Sequence, residues 1–500
     1  MFLILGKCIL QRILLIIDRY AALRTLYEQS PPLSSKSKAV PLDQALVLYF
    51  PGPNSFTGED IIELHTHGSR AVVTDVLDTL AKIPLDSPAT DEHINTSSYQ
   101  LKTKNYLLRP ADRGEFTQRA YQNGKLGLVE VEALADLIVS DTAMQRRQAL
   151  LQMDGRVTKI YENWRNELIK GLAHAEAVID FGDDEDLTGD DDDDSYSENG
   201  IGGQSLVWGT VRDRVDELLR SMKRFLQDDQ RGEIVRDGIK IAIVGAPNAG
   251  KSSLLNALAK RDVAIVSPIA GTTRDVVDVI LDLGGVRCIV SDTAGVREET
   301  GGDIIEEEGI RRATKAAKEA HIVIFMEDVS QLHQRDKVNF ENSMKEIMGI
   351  MGLDNEEDFN GVMMKVQNKI DLVKSPEICD SENSAGSGIN FGISCSTGSG
   401  IDKLLNKLEE TVLSRISSPS SSGSAEEGLI ITRARHRRHI SEAVSALSRF
   451  MELTEVDDLM TVDLAAEELR LSASELGRIT GAVDVEDVLD VLFADFCIGK

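Results

Sequence analysis

Apolar positions change their spacing several times along the chain, and each change marks a different kind of element. Over Pro41–Leu80 the segment VLYFPGPNSFTGEDIIELHTHGS reads as strand, Pro/Gly loop, strand and then a helix from Arg70, an α/β unit. From Pro110 to Phe181 the period is helical. Leu126, Val129, Leu134, Leu137 and Ile138 recur at threes and fours, and a second long helix is centred on Tyr161–Ala177. Helical spacing returns over Leu206–Phe225. From Gly238 the apolar runs IKIAIVG, VRCIVSD, HIVIFME and GVMMKVQNK alternate with helical stretches, the pattern of a parallel sheet covered by helices. Thr432–Asp495 is helical again, and the first 40 residues carry no readable pattern.

These segments predict a multidomain chain of α/β and all-α parts. Residues 1–40 are an uncertain N-terminus, a targeting segment or an artefact of the gene model, and 41–109 form an N-terminal α/β domain. Residues 110–235 and 432–500 are two parts of a helical domain, with 236–416 an inserted α/β domain of mainly parallel sheet and 417–431 a linker. A helical tract on each side of an α/β domain implies one discontinuous bundle whose inserted domain has its ends close together. The acidic runs Asp183–Asp186 and Asp190–Asp194 predict a solvated loop over 183–199, and the Ser/Gly-rich stretches Ser375–Ser387 and Ser417–Ser424 predict flexible connections.

Composition narrows the function. Fifty-five basic against 83 acidic residues leave a net charge of −28, so any nucleic-acid contact must use a local basic patch. The most concentrated one is Arg433, Arg435, His436, Arg437, Arg438 and His439, read either as a solvated helix face or as a contact for nucleic-acid phosphate or the acidic linker. The five cysteines are odd in number, scattered and free of CxxC, which argues against a disulfide framework or zinc site and for a reducing compartment. Lys7, Arg12 and Asp18 interrupt the apolar first segment, so no run predicts a membrane span.

The strand IKIAIVG runs directly into Gly245-Ala-Pro-Asn248-Ala249-Gly250-Lys251-Ser252-Ser253, which fits GxxxxGK[ST] in the strand-to-helix setting the motif requires. Glycines let successive backbone N–H groups wrap a phosphate, the helix N-terminus adds its positive end, Lys251 meets the β and γ phosphates, and Ser252 meets Mg²⁺. Further motifs follow in order: Thr272-Thr273, Asp292-Thr293-Ala294-Gly295, Asn368-Lys369-Ile-Asp371 and Ser394-Cys395-Ser396. Asp371 accepts from the guanine N1–H and exocyclic amine, a pair adenine does not offer, so the nucleotide is GTP. Thr273 is a second Mg²⁺ ligand, and Gly295 senses the γ phosphate through its N–H, making both loops hydrolysis-sensitive. Val296 stands where Ras-like proteins carry a water-orienting glutamine. Downstream, Glu306, Glu307 and Glu308 are either a replacement for it or an acidic helix start.

PGPNSFTGEDIIELHTHG, RPADRGEFTQRAYQNGKLGLVEVEALADLI, GAPNAGKSSLLNAL, IAGTTRDVV, DTAGVRE and the terminal FCIGK occur in order, and with them the sequence resembles the MnmE (TrmE) family of tRNA-modification GTPases over residues 42–500. The resemblance implies an N-terminal folate-binding, dimer-forming α/β domain, a discontinuous helical bundle and an inserted P-loop GTPase domain. It implies modification of C5 of the wobble uridine (U34) of certain tRNAs with an aminomethyl or, in mitochondria, taurinomethyl-type group. The one-carbon donor is a tetrahydrofolate derivative in its 5,10-methylene or formyl form, and the partner an FAD-dependent MnmG/GidA-like protein. It implies K⁺-dependent dimerisation of G domains, with Asn248, Ser267, Ile269 and Thr272 as K⁺ ligands and Glu306 orienting the attacking water. Glu63, Lys125 and Lys500 match folate positions, and Cys497 matches the cysteine of the terminal motif. Glu63, His65 and His67 alternate on a strand, so a metal triad is the other reading of that segment. The insertions resemble those of a mitochondrial member. A regulatory GTPase switch in ribosome or RNP assembly shares every nucleotide motif, and the flanking segments discriminate against it.

Overall fold

A computed structural model of the chain describes residues 2–4, 20–28, 40–82, 108–181, 202–227, 230–246, 248–265, 278–292, 314–330, 349, 361–373, 389–416, 431–454 and 460–483. They divide into two compact units, residues 1–135 with 477–500, and 136–476.

In the first unit four antiparallel strands, β1 (Phe2–Ile4), β2 (Ala22–Glu28), β3 (Val40–Phe50) and β4 (Ile61–His65), form a sheet in the order β1-β4-β3-β2. Two of these strands come from the 40 residues whose sequence shows no pattern. Helix α1 (Arg70–Ala81) begins where the sequence places it, capped by the Ser69 hydroxyl accepting from Val72 N at 3.3 Å. It packs Val76 against Val47, Ile62 and Leu64 of the sheet. Helices α2 (Glu115–Gln122) and α3 (Leu128–Ile138) follow. On α3 the buried residues are Leu128, Val129, Val131, Glu132 and Ala133, whereas Ile138 is exposed, so the buried stripe lies nearer the helix start than the apolar spacing suggests. The β3–β4 loop is tied to α2 by Arg119 on Glu59 at 2.9 Å and by Asn123 on Thr57 O at 2.8 Å, which groups 110–135 with the sheet rather than with the later helices.

The second unit holds helices α4 (Ala143–Met153), α5 (Arg156–Phe181), α6 (Gly202–Leu226) and α7 (Arg231–Asp237). A six-stranded sheet follows, with β5 (Ile239–Gly245), β6 (Asp278–Leu283), β7 (Val286–Asp292), β8 (Ile322–Asp328), β9 (Val362–Asn368) and β10 (Ile389–Gly392) in the order β10-β9-β8-β5-β7-β6. All neighbours are parallel except β6 and β7. Helices α8 (Lys251–Ala259) and α9 (Ile401–Ile416) cover one face, where Ile239, Ile241, Ile243, Leu254, Leu258, Ile324, Met326, Met364, Leu404 and Leu408 make a continuous core. Helices α10 (Ala434–Leu453) and α11 (Met460–Thr480) complete the helical part. The sequence marks β5, β7, β8 and β9 but not β6 and β10. Strand β10, INFG, is four residues long, and in β6, DVILDL, Asp278 and Asp282 confine the apolar run to three residues, so neither gives a clear pattern. The acidic loop 183–199 and both Ser/Gly-rich stretches lie outside the described residues. Among the described residues no helix is long and apolar enough to cross a membrane.

The inserted sheet enters through α7 and leaves before α10, and the two crossings touch. A Cβ on Gly232 would run into the Ile431 carbonyl. Asp136 accepts from Arg236 Nε at 3.0 Å and from Arg433 at 2.7 Å, one arginine from each crossing. Helix α4 braces both, through Gln145 to Arg236 O at 2.7 Å and Gln152 to the Thr432 hydroxyl at 2.7 Å.

Candidate nucleotide site

Parallel α/β sheets bind ligands at the carboxyl ends of their strands where the order reverses, and here β5 lies at that point between β8 and β7. The loop after β5 is shaped for close approach of backbone to an anion. Gly250 has φ +101° and a Cβ there would run into Asn368 Nδ2, so no side chain fits between the loop and β9. Asn248 has φ +63°, a left-handed value that Asn tolerates better than most residues. Lys251, the first residue of α8, is 9% exposed, and its ammonium donates to the Gly245 and Ala246 carbonyls at 2.9 Å each. Ser252 and Ser253 follow on the exposed side of the first turn, where backbone N–H groups have no intrahelical acceptor. A positive charge, the N–H groups of the first turn of α8 and the helix dipole thus converge at the end of β5, an arrangement suited to a polyphosphate.

The other half of the site comes from β9 and the loop after β10. Asn368 is 2% exposed; its Nδ2 donates to Ala249 O at 2.9 Å and its Oδ1 accepts from Cys395 N at 3.2 Å, so one side chain links the phosphate loop to the 394–396 loop. Lys369 has φ +66° and donates to Asp328 Oδ2 at 2.6 Å. Asp371 is exposed and accepts from the Ser396 hydroxyl at 3.1 Å; the Ser394 hydroxyl, with Ser396 behind it, holds its carboxyl below the usual carboxylate range. Burial, helped by the Asp371 charge, pushes the Cys395 thiol up to about 11, so its neutral side chain fills space while its backbone N–H does the bonding. Asp292 ends β7 at the same edge, its Cα paired with Ile243 of β5.

Of the residues singled out from the sequence, Asn248, Ala249, Gly250, Lys251, Ser252, Ser253, Asp292, Asn368, Lys369, Asp371, Ser394, Cys395 and Ser396 gather at this edge. Ser267, Ile269, Thr272, Thr273, Thr293, Ala294, Gly295, Val296, Glu306, Glu307, Glu308, Cys497 and Lys500 lie outside the described residues. Asp328 is the site residue that no motif announces. Its signal is the acid that closes the strand IVIFMED, two acids after five apolar residues, where an unpartnered carboxylate is costly.

In the first unit Glu63 and His65 pair at 3.0 Å, while His67 turns to Asp43 at 2.7 Å, so the three alternating residues split into two pairs and form no metal triad. The His67 backbone N–H, then its ring, holds the Asp43 carboxyl below its usual range. Lys125 donates to Pro53 O at 3.0 Å and so braces the β3–β4 loop, with its side chain exposed.

The basic cluster at the start of α10 is not a solvated face. Arg433 meets Asp136, and Arg437 meets Glu233 at 2.7 Å and Leu226 O at 3.1 Å. His436 and His439 are buried, and Arg438 is the most exposed of the six. His439, Glu442 and Glu475 have metal-like spacing, but His439 Nδ1 is bonded to Glu475 at 2.7 Å and Arg438 already supplies a cation, 3.4 Å from His439 Nε2 and 3.8 Å from Glu442.

Two family models match, one described as MnmE helical domain over residues 128–497 and one as GTP-binding protein TrmE N-terminus over 7–125. The chain is 39% identical to the human 5-taurinomethyluridine-tRNA synthase subunit GTPB3, mitochondrial, over 96% of this chain and 85% of that one. It is 42% identical to the tRNA modification GTPase MnmE of Paramagnetospirillum magneticum over 92% and 87%. A solved structure of Era in complex with MgGDPNP and a 16S ribosomal RNA fragment is 26% identical, over 41% of this chain and 65% of its own, with a TM-score of 0.25.

Proposed function

The chain belongs to the MnmE (TrmE) family of tRNA-modification GTPases, and on that footing we propose that it is the GTP-hydrolysing subunit of a complex that modifies C5 of the wobble uridine of certain tRNAs. The observation that carries this is Asn368, which joins the phosphate loop to the guanine-side loop and leaves the Asp371 carboxylate exposed beside them. That carboxylate accepts from guanine N1–H and the exocyclic amine, and Ser394, Cys395 and Ser396 close the far side of the base.

Lys251 neutralises the β and γ phosphates, and the N–H groups from Ala249 to Ser253 wrap them. Mg²⁺, held by Ser252 and Thr273, supplies charge stabilisation for the leaving diphosphate. Ser252, exposed on the first turn of α8, fits this role through its hydroxyl oxygen. Thr272, Asp292, Thr293, Ala294 and Gly295 form the γ-phosphate side, and Glu306 orients water in place of the glutamine that Val296 replaces. K⁺ bound by Asn248, Ser267, Ile269 and Thr272 stands in for an arginine finger when two G domains meet in a homodimer. The left-handed, exposed Asn248 supports the first of these ligands, since its side-chain amide offers the hard oxygen donor that K⁺ takes.

Around the N-terminal sheet, Glu63, Lys125 and Lys500 hold a tetrahydrofolate derivative, the carboxylate at the pterin edge and the ammonium groups at the acidic tail. Exposed Lys125 and the partly exposed Glu63 fit that donor set. Cys497 is the candidate reactive thiol. The complex includes an FAD-dependent MnmG-like protein and the tRNA, and the site of action is the mitochondrial matrix, in line with the mitochondrial relative and its taurinomethyl product.

The decisive test is mass spectrometry of wobble uridines in organellar tRNA with Lys251→Ala replacing the native protein. Loss of the C5 side chain is expected; intact modification would leave an assembly switch as the better account.

A further inference from the structure

Asp328 closes β8, and its Cα pairs in register with Asn368, the residue before Lys369. It is 7% exposed, yet it is fully partnered: Oδ2 takes the Lys369 ammonium at 2.6 Å, and Oδ1 takes the Ser330 N–H at 2.9 Å and the Ser330 hydroxyl at 2.6 Å. Burial works against its charge, but Lys369 and Ser330 outweigh that and hold the carboxyl below the usual range. Lys369 itself sits in the left-handed region at φ +66°, a conformation a lysine keeps only where its surroundings impose it.

Lys369 is two residues from Asp371 and has two carboxylates to choose between. Asp371 is exposed, where a lysine pair is weak and screened, whereas Asp328 is buried in a lower dielectric that strengthens the same pair. We infer that Asp328 is a specificity-determining positioning residue: by drawing the Lys369 ammonium into a buried pair it keeps Asp371 open as the acceptor for guanine. The aliphatic stem of Lys369, stretched toward Asp328, then forms one wall of the base slot. This rests on the reading that guanine binds at Asp371. It extends that reading to a residue outside the nucleotide motifs, on a neighbouring strand.

The test uses the full chain and competition of GDP and IDP against a fluorescent GDP analogue, because inosine lacks the exocyclic amine and depends less on Asp371. Asp328→Asn should weaken GDP about tenfold and IDP much less, so the GDP-over-IDP preference shrinks. The KM for GTP should rise while kcat at saturation holds within about twofold. Adding Lys369→Met to Asp328→Asn removes the ammonium that would mask Asp371, so the preference should return although both nucleotides bind more weakly. Asp328→Glu, which keeps the charge, should stay near the native preference. Equal weakening of GDP and IDP by Asp328→Asn, or no recovery in the double variant, overturns the inference. Should Asp328→Asn fail to fold, as judged by its melting without nucleotide, Lys369→Met alone decides: retained preference supports the inference and lost preference overturns it. A native protein with no GDP-over-IDP preference would sink the guanine reading itself, independently of Asp328.

Discussion

Asp136 holds Arg433 at 2.7 Å and Arg236 at 3.0 Å, so one carboxylate on α3 clasps the chain where it enters the inserted sheet and where it leaves. The carboxylate and Arg433 are each only 14% exposed. Removing one partner of such a pair leaves the rest with uncompensated charge. Asp136→Asn should therefore lower stability by roughly 2–4 kcal/mol and make the P-loop domain and the helices unfold in separate steps. Urea denaturation followed by tryptophan fluorescence, which reports the helices through Trp164 and Trp208, and by nucleotide-analogue release would show it; one coincident transition at the native midpoint would remove the clasp from the account.

Much of this was written in the sequence because periodicity and motif agree there. IKIAIVG is at once a buried strand and the lead-in to a glycine loop, so both its fold and its chemistry show. The clasp was not legible, because Asp136, Arg236 and Arg433 are separated by about 100 and 200 residues and single charges carry no period. Strand β2 was hidden differently: ALRTLYE alternates weakly, and its exposed Leu23 and Tyr27 blur the inward–outward pattern. The basic run was readable as charge, but charge alone did not reveal that half of it faces inward.

That inward half separates two arginines that the sequence groups together. Arg437, partly buried against Glu233 and Leu226 O, should cost about 2–4 kcal/mol when reversed to Glu, because two acids would then face each other. Arg438→Glu, at a site 67% exposed, should change stability by less than about 0.5 kcal/mol. Melting temperatures of the two variants test this, and only Arg438→Glu is then a clean probe of tRNA affinity.

Glu115 is 8% exposed and accepts from Arg119 at 2.6 Å, Asp112 N at 2.7 Å and Arg109 at 2.9 Å. Burial opposes its charge, yet Arg119, the Asp112 N–H and Arg109 together hold its carboxyl below the usual glutamate value of 4.5. A depressed acid stabilises the fold fully above its unfolded value and loses that contribution as pH falls through the folded one. Glu115→Gln should cost about 1–3 kcal/mol at neutral pH, and the gap to the native protein should close progressively below pH 4.5. A gap that stays constant on acidification would show that shape rather than charge holds α2.

Glu327 behaves in the opposite sense. Burial, with Asp328 adding to it, pushes its carboxyl up to about 7, and its Oε2 has no partner among the described residues. A raised acid binds its proton more tightly when folded, so stability is greatest below the unfolded value and declines as pH rises through about 7. Glu327→Gln should match the native protein at pH 5 and exceed it at pH 8. Thermal melts at both values decide it, and a variant less stable at pH 8 would mean that the ionised form has a partner.

Asp371 offers the sharpest reading of the base slot. Its carboxylate is exposed, is steadied by the Ser394 and Ser396 hydroxyls, and presents acceptors only. Guanine meets it with two donors. Asparagine keeps one acceptor and replaces the other with an N–H₂ donor, which clashes with the guanine amine but suits the carbonyl that xanthine carries at that position. Asp371→Asn should therefore lose GDP affinity by 10²–10³-fold, roughly the cost of leaving buried polar groups mispaired, and gain affinity for XDP. Competition of GDP and XDP against the fluorescent analogue measures both at once. If Asp371→Asn weakened the two alike, the base would have to be read elsewhere, and the Asn368 link would serve the phosphate loop alone.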